Sequence, residues 1–180
     1  KMITGVLNPD SGAIIVDGVN IAEDPMEAKR RMGYVTDNPE LFSQLKAAEY
    51  LNFIGDVYGV PADVRQERIE RYTKVFGINE ALNGSIGSFS HGMKQKLLVT
   101  GSLLSDPPVW ILDEPMVGLD PKSAFSLKEI MRERADAGKV VFFSTHVMEV
   151  AEKLCDRLAI INTGKIMFEG SLQELREKRG

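Results

Sequence analysis

The apolar positions of this chain change period twice along its length. At the start they come in short runs, residues 13–16 before an Asp17-Gly18 turn and residues 32–35 before Thr36-Asp37-Asn38-Pro39. Four apolar residues bounded by turn formers predict a strand. Between these runs, residues 25–31 predict a short helix with Pro25 at its first position. The leading residues, KMITGVL, read as the last turns of a helix ending near residues 5–8, and residues 8–12 form a turn cluster. From residue 45 to about 104 the spacing becomes helical. Residues 46–58 set Tyr50, Leu51, Phe53, Ile54 and Val57 at helical intervals, and Gly59 ends that run. Pro61 opens a charged helix with Val64, Ile69, Tyr72, Val75 and Phe76 as its buried stripe, and Gly77 stops it. A loop over 83–88 leads to a third helix, roughly 92–104. Strand spacing returns at 109–112, 140–144 and 158–161, with helices over about 121–137 and 147–154. Strands separated by a helix pair in parallel through a right-handed crossover. A short strand at 165–168 and a helix at 171–178 close the pattern, with no internal repeat.

The strand at 109–112 carries the chemistry. Val109-Trp110-Ile111-Leu112 reads as buried on both faces, as in a parallel sheet, and delivers Asp113 and Glu114 side by side before Pro115. Ligands bind beyond the carboxyl ends of such strands. Two acids are costly to bury there unless a cation meets them. Mg²⁺ fits, because it takes oxygen ligands, keeps several waters and travels with phosphates. The arrangement looks like a Walker B motif, in which Asp113 holds the magnesium and Glu114 polarises the attacking water.

Composition narrows the setting. With 180 residues the chain suffices for one domain with a real core. A net charge of −4 and no basic block give no reason to expect nucleic acid. The single Cys155 precludes an internal disulfide framework and fits a reducing compartment. No apolar run approaches the roughly 18 residues of a membrane span, so a membrane role is expected to pass through a partner.

A second site opens the third helix. In Phe89-Ser90-His91-Gly92-Met93, Ser90 is placed as an N-cap and Gly92 lets another group approach the backbone. Free amides at a helix start attract anions. Alone, this is also how an ordinary capped helix begins. The order of motifs changes the reading: the SxG helix start, then the hydrophobic-Asp-Glu strand, then Gly118-Leu119-Asp120, then Ser144-Thr145-His146. In that order the chain resembles the nucleotide-binding domains of ABC (ATP-binding cassette) proteins over nearly its whole length. FSHGM stands where the family has its LSGGQ signature, ILDEP is the Walker B end, Gly118-Leu119-Asp120 the D-loop and His146 the switch histidine. GYVTDNPELF, with EYLNFIGDVYG after it, looks like the group that powers ABC-2-type exporters.

The resemblance implies an α/β P-loop NTPase (RecA-like) core with a mainly parallel sheet, over residues 1–44 and 105–180. A helical subdomain carrying the signature is inserted at 45–104. It implies ATP and Mg²⁺ as cofactors, catalytic roles for Glu114 and His146, magnesium binding by Asp113, and nucleotide contacts from Ser90, Gly92, Asp37 and Asp120. Asp37 replaces the usual Q-loop glutamine. It can orient water or approach magnesium, or simply start the turn before Asn38-Pro39. His91 and Met93 depart from the signature, and His91 reads as a solvated loop residue. Asp120 also fits the N-cap of the helix at Pro121. Tyr50, Phe53 and Tyr58 are expected to pack the helical subdomain.

The implied partners are a second nucleotide-binding domain, paired head to tail as a homo- or heterodimer, and membrane-spanning permease subunits. The implied location is the cytoplasmic face of the cell membrane. A Gly-rich GxxxxGK[ST] loop is expected upstream of Lys1, so the chain reads as beginning just inside the P-loop helix, N-terminally truncated. By itself it is expected to show negligible ATPase activity. Two rival readings keep the same residues: a soluble ABC ATPase acting on DNA or ribosomes, and a non-catalytic regulatory protein that has lost its phosphate loop.

Overall fold

Lys1 to Leu7 form turns, not the helix end that their apolar residues predict. The Val6 amide bonds the Lys1 carbonyl at 3.0 Å, and Gly5 reverses the chain at φ 64°. Met2, Ile3, Val6 and Leu7 are all exposed, so no buried stripe sustains a helix. The computed structural model describes residues 1–37 and 42–179, in two units, Lys1–Ser144 and Thr145–Gly180.

In the first unit, β1 (Ile15–Val16) and β2 (Val19–Asn20) form a hairpin. Its turn residues Asp17 and Gly18 both take positive φ, the backbone of the tight turn their sequence predicts. Helix α1 (Pro25–Arg30) starts where Asp24 accepts the Glu27 amide at 3.0 Å. Strand β3 (Met32–Val35) follows. Val16, Ile21, Ala28, Met32 and Ile111 close a small core between these pieces and the central strand.

Three helices come next: α2 (Ala47–Val57), α3 (Ala62–Phe76) and α4 (His91–Leu103). Gly77 ends α3 in the left-handed region, φ 66°, as expected. The buried stripe of α3 differs from the one its apolar residues predict. Ile69, Tyr72 and Phe76 are buried, whereas Val75 lies at the surface and Thr73 is enclosed. Thr73 tolerates burial because its hydroxyl donates to the Ile69 carbonyl at 2.7 Å. On α2, Tyr50 and Leu51 face inward and Phe53 and Val57 outward. Helix α4 is buried nearly all round from Leu97 to Leu103, since it packs against α2, α3 and β3 together.

The chain then enters β4 (Val109–Leu112), crosses through α5 (Pro121–Asp136) and returns as β5 (Val140–Phe143). The sheet order is β3-β4-β5, all parallel, with Val35, Leu112 and Phe143 in register. Trp110, Ile111 and Leu112 are buried as expected of a central strand. Strand β5 departs from the expectation of a buried strand: Val140 and Phe142 are 55% and 52% exposed. Its two faces alternate, and the described residues cover only one of them.

In the second unit, α6 (Met148–Leu154) precedes β6 (Leu158–Asn162) and β7 (Lys165–Gly170). The crossover rule holds for β4 and β5, and β6 and β7, with no helix between them, pair antiparallel. Thr163 and Gly164, both at positive φ, make the two-residue turn that dictates a hairpin. The last helix, α7 (Leu172–Arg179), begins with a reciprocal cap. The Glu174 amide donates to the Ser171 hydroxyl at 3.2 Å, and the Ser171 amide to the Glu174 carboxylate at 2.6 Å.

Candidate active site

Because β3, β4 and β5 run parallel and in register, the residues after them leave the sheet at one edge: Thr36-Asp37, Asp113-Glu114 and Ser144. The ladder extends one step past the strands. The Asp113 amide donates to the Val35 carbonyl at 2.9 Å, and the Ser144 amide to the Leu112 carbonyl at 3.0 Å. Asp113 is therefore the last residue the sheet holds, and Glu114 the first to leave it. Glu114 does so at φ 45°, a left-handed conformation that costs about 1–2 kcal/mol for a residue with a Cβ. Its amide is held by the Ser144 hydroxyl oxygen at 2.9 Å. The same hydroxyl donates to Asp113 Oδ1 at 2.6 Å. One side chain on the neighbouring strand thus fixes both the Asp113 carboxylate and the backbone of Glu114.

Ser144 was not among the residues the sequence singled out. The signal was present, a hydroxyl directly after an apolar run, but its partner lies 31 residues away and only the register of β4 on β5 reveals it. The donor set here is oxygen alone. Among the described residues, no group of three or more His, Cys, Asp or Glu side chains is placed to hold a metal. An ion at this edge would take one or two carboxylates and complete its shell with water and phosphate oxygens, which suits Mg²⁺.

Asp37 is exposed at the same edge and accepts the Thr36 hydroxyl at 3.1 Å, a local contact. The turn it was expected to start, Asn38-Pro39, lies outside the described residues.

Ser90 caps α4 as its sequence predicts, accepting the Met93 amide at 3.3 Å. The opening of α4 lies against the loop over 113–120. A Cβ on Gly92 would stand 2.5 Å from the Gly118 carbonyl oxygen. Gly118 itself sits at φ 78°, and a side chain there would collide with the His91 ring. His91 is accordingly the first residue of α4, exposed yet packed along the loop, instead of a free loop histidine.

Asp120 has the capping role expected of it. It accepts the Ser123 amide at 2.9 Å and the Ser123 hydroxyl at 2.7 Å, starting α5. Lys96 of α4 adds an ion pair at 2.7 Å. The Lys96 ammonium first, then the Ser123 amide and hydroxyl, hold the Asp120 carboxyl well below the usual carboxylate range. His146 belongs to the second unit, exposed in the bend before α6. The other candidates, Asp37, Ser90, Gly92, Asp113, Glu114 and Asp120, all lie in the first.

A parallel sheet with paired acids at its carboxyl edge, beside a capped glycine-bearing helix start, defines a nucleotide-binding α/β domain of the P-loop NTPase class. The comparisons narrow that class. The family model for ABC transporters matches residues 1–117. The ABC transporter ATP-binding protein NatA of Bacillus subtilis (strain 168) is 34% identical over 178 residues, 98% of this chain and 72% of that protein. The linearmycin resistance ATP-binding protein LnrL of the same organism is 34% identical over 180 residues, 100% of this chain and 58% of that protein. A solved ATP-binding subunit of an ABC transporter superposes with a TM-score of 0.94 at 32% identity, covering 100% of this chain and 75% of its own. The chain belongs to the ABC transporter family, as an ATP-binding domain.

Proposed function

We propose that this chain is the ATP-hydrolysing part of an ABC exporter, coupling hydrolysis to transport through membrane-spanning permease subunits. The observation that carries the reading is the Asp113–Glu114 pair, held by the Ser144 hydroxyl at the carboxyl edge of a parallel sheet. The ABC-2 exporter resemblance of residues 33–42, and a relative named for linearmycin resistance, support export. Among the described residues no helix is long and apolar enough to cross a membrane, which is consistent with work done through a partner at the cytoplasmic face.

In this reading Glu114 is the general base that takes a proton from the attacking water. Asp113 would hold Mg²⁺, which when bound would neutralise phosphate charge, and Ser144 keeps the Asp113 carboxylate aimed. His146 bonds the terminal phosphate and Asp37 orients water. The Ser90-Gly92 start of α4, in a helical subdomain over 45–104, presents its amides to the nucleotide of a second copy or a homologous partner, paired head to tail. Asp120 faces the same junction. Closure around ATP and reopening after hydrolysis would move the permease.

The 180 residues hold no glycine-rich GxxxxGK[ST] stretch to cradle the phosphates, and in this account they are inactive by themselves. ATPase assays test both statements. Behind a phosphate loop, Glu114→Gln should lower turnover by about 10²–10⁴-fold. Residues 1–180 alone should show none above background. A loss of only a few-fold moves the base elsewhere. Hydrolysis by residues 1–180 that Glu114→Gln abolishes overturns the inactivity.

A further inference from the structure

The opening of α4 and the loop over 113–120 are joined in one chain by more than proximity. Gly92 and Gly118 bring the two backbones into contact with no room for a Cβ on either. Gln95, almost fully buried, turns its amide toward the Pro115 carbonyl at 3.5 Å. Lys96, its side chain only 15% exposed, sets its ammonium on Asp120 at 2.7 Å. That carboxylate already caps α5 through Ser123. One aspartate therefore ties together α4, the end of the loop and the first turn of α5.

We infer that Lys96 is a positioning residue: through Asp120 it clamps the loop over 113–120 to the signature helix, so that the two move as one body. Where the two backbones meet at the glycines, the His91 ring and the long Gln95 bond are neutral contacts, and the register between α4 and the end of the loop needs a stronger anchor. The Lys96–Asp120 pair is that anchor. Rigid coupling would carry any shift of α4 to the segment that leaves the sheet at Glu114. The inference rests on the proposed function only in supposing that both segments serve one site.

Hydrogen exchange on the chain without nucleotide tests it. The amides of Val117 and Leu119 donate to the Glu114 and Met116 carbonyls and report the order of the loop. Lys96→Met should speed exchange at these two amides about fivefold or more, while the β4 amides stay unchanged, and Lys96→Arg should restore protection. Should Lys96→Met fail to fold, Asp120→Asn keeps a good N-cap, removes the ion pair and should loosen the same two amides. Unchanged exchange at Val117 and Leu119 in a folded variant overturns the inference. So does an equal loosening of β4, which would make Lys96 ordinary packing. Because no ATP is present, this result is independent of the Glu114→Gln assay, and either can fail alone.

Discussion

Strand β4 has an aspartate near each end, and the protein treats the two in opposite ways. Asp106, in the lead-in to the strand, is ringed by cations. It accepts Arg134 Nη1 at 2.9 Å and Lys139 Nζ, with Arg68 Nη2 at 3.9 Å. Arg134 also donates to the Pro107 carbonyl, and Arg68 to the Leu104 carbonyl at 2.6 Å. Burial pushes the Asp106 carboxyl up, but the bonds from Lys139 and Arg134 more than reverse this and leave it below the usual range. Asp113, at the far end, is met by the neutral hydroxyl of Ser144. At the lower end α3, α5 and the lead-ins to two strands are locked by three cations gathered on one carboxylate. At the upper end a neutral hydroxyl aims the Asp113 carboxylate, so its charge remains available to a cation arriving with phosphate. The difference separates the end of the sheet that holds the fold from the end that carries the proposed site.

The largest expected effect breaks the strand that runs between the two ends. Trp110 is fully buried in β4, donates its indole N–H to Ser102 Oγ at 2.9 Å and lies under the Arg134 guanidinium at 5.5 Å. Trp110→Ala should cost about 3–5 kcal/mol in urea unfolding. The comparison sharpens when each aspartate is made neutral without changing shape. Behind a phosphate loop, Asp113→Asn should reduce Mg·ATP turnover at least about 100-fold. Its stability should move by less than about 0.5 kcal/mol, because the Ser144 bond survives. Asp106→Asn should reverse that order, losing about 1–2 kcal/mol once the exposure of the carboxylate is allowed for and leaving KM for ATP unchanged. If both variants behave alike, the division between the two ends is wrong.

The smallest effect is a pH dependence. The folded pKa of Asp106 lies below an unfolded value near ~4, so its ion pairs contribute fully above about pH 4. That contribution is lost as pH falls through the folded value. Lys139→Met removes one of the groups that lower this pKa. The gap in urea midpoint between this variant and the parent should therefore be wide at pH 7 and close toward pH 3. A gap that stays constant would show that Lys139 acts by packing alone.

Much of this was legible in the order of the residues. The apolar periods set the type and near-bounds of most elements, from β3 and β4 to the three helices after them. Gly77 stopped α3, Ser90 and Asp120 capped their helices, and Asp113-Glu114 left the central strand, because each of these depends on neighbours within a few residues. What the sequence left open was set at long range. The apolar run of β5 predicts burial, but only packing decides that Val140 and Phe142 stay half exposed. Thr73, a polar residue, is buried because one helix carbonyl satisfies it. The leading turns likewise departed from the pattern. Ser144 on Asp113 and Lys96 on Asp120 emerged only when strands and helices distant in sequence were laid side by side. Local periodicity and capping determine what each segment becomes, since they act through the backbone's nearest neighbours. Which side chains meet, and so how the two acids are held, follows from strand register and helix packing, which no single segment contains.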